Sequence, residues 1–102
     1  MRPLTESNAP LDPLVELARC RGEIEAIDRR LIEVIAERVT LGQRTAELKR
    51  VAKLPILDPQ LEAEVIRRAM LAAREHGLPE EAMRELFWKL VGLSRRAQED
   101  AR

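Results

Sequence analysis

The chain has 102 residues, 45% hydrophobic and 35% charged, and its eighteen basic side chains cancel its eighteen acidic ones. That length supports one small domain with a small core, and interspersed charge summing to zero excludes the basic face of a nucleic-acid binder. A lone Cys20 and the lack of any Cys/His cluster exclude a disulfide framework and a thiolate metal site, so Cys20 is read as a packed or half-exposed thiol rather than a nucleophile. No apolar run approaches the ~18 residues that span a bilayer, and no apolar signal core opens the chain. The expectation is a soluble cytoplasmic protein with no membrane or nucleic-acid partner.

Leu, Ala, Glu and Arg dominate, Tyr is absent, and Phe87 and Trp88 are the only aromatics, which is a helical composition. Residues 1–11 carry Pro3, Ser7, Asn8 and Pro10 without periodicity and read as a disordered lead to a helical domain over 12–102. Asp12-Pro13 pairs an N-cap with a first-turn proline. From there a helical pattern runs to about Ala52, with Leu17, Ile24, Leu31, Ile35, Leu41 and Leu48 on its apolar stripe and Pro55 ending it. Asp58-Pro59 starts a second helix the same way; Val65, Ile66, Ala69 and Ala73 face inward, and His76-Gly77 stops it. Pro79-Glu80-Glu81 opens a third, whose apolar face holds Met83, Leu86, Phe87, Leu90, Val91 and Leu93.

The first helix is long for its chain. About 40 residues make a rod of roughly 60 Å, whereas a compact monomer of this size is roughly 35 Å across. Its stripe needs a cover, and a symmetric second copy is the simplest one. A break near Gly42 is the alternative.

Polar side chains interrupt that stripe. Arg38, Gly42, Thr45 and Lys49 share one side of the helix. The two cations stand roughly 16 Å apart along the axis, with two small residues between them. This is a notch that can bracket a small dianion. Arg21 also faces the seam but lies roughly 40 Å from Lys49 along the helix, so it would reach a notch only on an antiparallel partner. On the third helix Phe87, Val91, Ser94 and Gln98 share a face, and Asp58 and Glu62 face one way at the start of the second. Each residue has a plainer role open to it: snorkelling for Arg38 and Lys49, a pair with Glu25 for Arg21, capping for Asp58, a helix-end partner for His76. The conjunction is specific, because buried cations need counter-charge and too few acids share these faces.

In order and spacing these residues resemble the type II (AroQ-class) chorismate mutases from about Leu17 to Gln98. The marks are Arg21 before Ile24-x-x-Ile27-Asp28, then Ala36-Glu37-Arg38, Lys49, Pro55-Ile-x-Asp58, Glu62, Gly77-Leu78, Phe87 and Ser94-x-x-x-Gln98. The resemblance implies an all-α chain of three helices forming an intertwined homodimer with two sites. Each site would take Arg38, Lys49, Asp58, Glu62, Ser94 and Gln98 from one chain and Arg21 from the other. It implies that the arginines hold the two carboxylates of chorismate and that Lys49 and Gln98 donate to the ether oxygen. Glu62, with the backbone at Asp58, would hold the ring hydroxyl, and Ser94 would support a carboxylate. The rearrangement to prephenate, on the route to Phe and Tyr, is intramolecular and calls for no cofactor, metal or general base. One position departs: the pattern commonly has Arg where this chain has Leu61, with Gln60 and Arg95 as candidates to compensate. That leaves three alternatives: a 4-amino-4-deoxychorismate mutase, an isochorismate pyruvate lyase, or a weakly active regulatory dimer docking on an upstream shikimate-pathway enzyme.

Overall fold

The computed structural model describes residues 12–100, with Asp100 in backbone only. Among them are three α-helices and no strand: α1 (Pro13–Val51), α2 (Pro59–Glu75) and α3 (Glu80–Asp100). The disordered lead expected over 1–11 lies outside the described residues.

The helix ends follow the local chemistry. The Asp12 side chain accepts from the Leu14 N–H at 2.9 Å, and the Asp58 side chain accepts from the Leu61 N–H at 3.1 Å. Each satisfies a donor that the first helical turn leaves unpaired, and Pro13 and Pro59 fill positions where a missing N–H costs nothing. At the end of α2, Gly77 takes a left-handed φ of 69° and the Leu78 N–H reaches back to the Ala73 carbonyl at 2.8 Å. His76 Nδ1 lies 2.8 Å from the Ala72 carbonyl oxygen, which places a proton on that nitrogen. Arg74 pairs with Glu80 at 3.0 Å, tying the end of α2 to the start of α3, and that contact raises the Arg74 pKa.

The end of α1 is less expected. Lys53 stands at φ 59° and the Leu54 N–H donates to the Lys49 carbonyl at 2.8 Å, the same reversal that Gly77 makes. A side chain in that region costs about 1–2 kcal/mol, so the turn is held by what surrounds it rather than by residue preference. The helix ends at Val51, four residues before Pro55. It does not break at Gly42.

The chain divides into two units between Val34 and Ile35. In residues 12–34, which belong to α1 alone, the large apolar side chains are exposed, Leu17, Ile24, Ile27 and Leu31 among them. In residues 35–100, α2 and α3 pack against each other. The core is built of Ala46 from α1, Ile66, Ala69 and Ala73 from α2, and Val91 and Ser94 from α3. Ala-rich contacts let the helix backbones approach, but no large side chain is fully enclosed. Leu41 and Leu48, expected inward, are 66% and 50% exposed, and Leu86 on α3 is exposed as well.

Candidate active site

Within the second unit, the last four turns of α1, the 52–58 loop, α2 and α3 line an open cavity of about 300 Å³. Arg38, Gly42, Thr45 and Lys49 line it from α1, Asp58 and Glu62 from the start of α2, and Ser94 and Gln98 from α3. The stripe of small and cationic residues on α1 is therefore one wall of a pocket.

Several of these side chains are held by specific partners. Arg38 Nη1 donates to Ser94 Oγ at 2.8 Å, and Ser94 is the one buried polar residue among those described. Gln98 Nε2 donates to the Gly42 carbonyl at 3.0 Å, leaving its second N–H available. Lys49 Nζ donates to the Ile56 carbonyl at 3.3 Å, leaving two N–H groups. Because Leu54 also bonds to the Lys49 carbonyl, the Lys49 residue is tied to the loop at both ends. At Gly42, which faces α3, a Cβ would lie 3.5 Å from Gln98 Nε2 and 3.6 Å from Ser94 Cβ. Those are ordinary contact distances, so Gly42→Ala should be accommodated and should raise stability by about 1 kcal/mol through helix propensity, seen as a higher urea midpoint.

Three cations and two carboxylates line the cavity. Asp58 is engaged by the Leu61 N–H and Glu62 by Arg95, and the Glu62 hydrogen bond, then its charge, raises the Arg95 pKa. Among the described residues Arg38 and Lys49 form no ion pair. Two half-buried cations without a carboxylate, beside a neutral amide donor, make the cavity suited to an anion that carries more than one acceptor.

Arg21 is not among the lining residues. It is exposed on α1, and Glu25, its possible partner, bonds Arg29 at 3.5 Å instead. Cys20, expected packed or half-exposed, is exposed. Sequence reasoning did not single out Leu41 or Ile56 for the site. Ile56 acts through its carbonyl, which no side-chain pattern reveals. Arg95 was one of two candidates beside Leu61; it lies four residues after Val91 and three before Gln98, a spacing that puts it on the edge of the same face. Gln60 does not line the cavity.

Residues 20–99 match the family model described as chorismate mutase type II. The chain is 33% identical over 76 residues to a chorismate mutase of Methanocaldococcus jannaschii, covering 74% of this chain and 77% of that protein. It belongs to the type II chorismate mutase family. A 4-amino-4-deoxychorismate mutase of Streptomyces venezuelae is 35% identical over 72 residues, 71% of this chain and 70% of that protein. A bifunctional chorismate mutase/prephenate dehydratase of Aquifex aeolicus is 32% identical over 79 residues, which cover 74% of this chain but 22% of that protein. In this type II chorismate mutase chain the matched segment contains every residue lining the cavity.

Proposed function

We propose that the protein is a chorismate mutase that rearranges chorismate to prephenate within the 300 Å³ cavity, supplying prephenate for aromatic amino-acid biosynthesis. The observation that carries this reading is the pairing of unneutralised Arg38 and Lys49 with the donor Gln98 around one pocket. Chorismate carries two carboxylates and an ether oxygen. In the reaction the carbon–oxygen bond of that ether breaks as a carbon–carbon bond forms, and no atom leaves. The enzyme's task is to hold the diaxial conformer in which the two ends meet, and to stabilise negative charge growing on the oxygen.

Arg38, steadied by Ser94, would hold one carboxylate. The free N–H groups of Lys49 and Gln98 would converge on the ether oxygen. Since Gln98 donates without being protonated, the rate should not require acid conditions. Glu62 and the backbone at Asp58 would take the ring hydroxyl.

The second carboxylate is assigned to Arg21 of a partner chain. Support for an intertwined homodimer comes from α1 itself. Leu17, Ile24, Leu31, Arg38 and Thr45 recur every seven residues, as do Cys20, Ile27, Val34, Leu41 and Leu48 three places on. This is the heptad pattern of a helix-pairing seam. Its apolar members are exposed in the single chain, and burying them would return roughly 25 cal/mol for each Å² covered. Arg38 and Thr45 interrupt the seam where the cavity lies, so the surface that would receive a partner is also a wall of the site. Arg21 flanks the seam at a position from which charged side chains reach across.

The test is direct. Purified protein given chorismate should form prephenate without added metal or cofactor, followed as loss of chorismate absorbance. Unchanged absorbance at micromolar protein sinks the assignment. A 4-amino-4-deoxychorismate mutase is the second reading, favoured by the Streptomyces venezuelae relative, and the amino substrate run in parallel separates the two.

A further inference from the structure

Glu62 and Arg95 come from different helices, 33 positions apart, and bond side chain to side chain. The Glu62 side chain is 21% exposed and that of Arg95 45%. Both line the 300 Å³ cavity, and both also line a smaller cavity of about 240 Å³ that shares Ile56 and Gln98 with it. Of the three lining cations, Arg38 is bonded to Ser94 and Lys49 to the Ile56 carbonyl; Arg95 is the one bonded to a carboxylate. Residue 61, adjacent to Glu62 and also in the lining, is an uncharged leucine.

An ionised carboxylate by itself accepts a hydrogen bond from a hydroxyl and attracts an ammonium more strongly still. A guanidinium bonded to it alters that preference. Arg keeps its charge at any working pH, and Glu62 raises its pKa further. The pair retains acceptor lone pairs on the carboxylate, which has room for about four hydrogen bonds. It does not retain a net negative charge. A hydroxyl still finds its acceptor, whereas an ammonium placed there meets a positive charge a few ångströms away, and a repulsive element of that kind sets specificity as much as an attractive one does.

We propose that Arg95 is a specificity-determining residue, which makes the Glu62 side of the cavity select a ring hydroxyl over a ring ammonium. This rests on the reading above, in which Glu62 receives the ring substituent.

The experiment compares kcat/KM on chorismate and on 4-amino-4-deoxychorismate for the wild type, Arg95→Met and Arg95→Lys, with circular dichroism on each. Near neutral pH, where an aliphatic amine is protonated, the wild type should prefer chorismate, and Arg95→Met should move the ratio about tenfold toward the amine. Arg95→Lys, which keeps the charge, should stay near the wild-type ratio. A ratio in Arg95→Met within about twofold of wild type, or a lysine variant that behaves like the methionine one, overturns the proposal. A second arm uses the wild type alone and needs no variant to fold. Raising the pH through the amine's own titration should increase its relative rate, because the neutral amine no longer meets a like charge; a flat or falling profile overturns the proposal. Conversion of chorismate with an unresponsive ratio refutes the role of Arg95 and leaves the mutase standing. Conversion of neither substrate overturns both.

Discussion

Lys49→Ala should lower kcat for chorismate by about 10²–10³-fold, the cost of removing one donor from an oxygen that gains charge in the transition state. The fall should appear in kcat and kcat/KM together, since the contact strengthens only as the ether bond breaks. The structure adds a complication that the experiment must separate. Lys49 Nζ also holds the Ile56 carbonyl at 3.3 Å, so removing it takes away one tie to the 52–58 loop. Leu54 still bonds to the Lys49 backbone, which alanine preserves. Circular dichroism and the urea midpoint should therefore change little while turnover collapses. A near-wild-type rate in a folded variant would remove Lys49 from the mechanism.

Mixing inactive Arg21→Ala chains with inactive Lys49→Ala chains, then refolding them together, should restore about a quarter of the wild-type activity, because random pairing makes half the dimers mixed and each mixed dimer has one intact site. The other site in such a dimer carries both lesions. The prediction depends on Arg21 working across the interface, which its exposure on α1 and its place beside the heptad seam support. If mixed dimers form and no activity returns, each chain builds its site alone and Arg21 has another role.

The elements were legible in the sequence because their signals are local. Asp12-Pro13, Asp58-Pro59 and His76-Gly77 work within one turn of backbone, and the helix bounds fall within a residue or two of where those signals put them. The exception is the end of α1, where Lys53 adopts a conformation suited to glycine. Nothing in a lysine announces that, because the turn is set by the loop that Lys49 ties down. The site was legible in part for the same reason. Arg38, Gly42, Thr45 and Lys49 lie on one helix, and 3.6-residue geometry puts them on one face. Ser94 and Gln98 share a face of α3 in the same way.

What spacing along single helices determined, then, is which side chains travel together: the cations of α1, the donors of α3, the carboxylates at the start of α2. Only the packing of α2 and α3 with the second half of α1 decided which of these meet. It joined Arg38 to Ser94, Gln98 to the Gly42 carbonyl and Arg95 to Glu62. The Arg95–Glu62 contact spans 33 residues and two helices, so its charge balance depends on the angle and register of helix packing, which interactions within a turn do not encode. Set against the family resemblance, Leu61 stands where a cation is common; the fold puts another, Arg95, against the neighbouring Glu62.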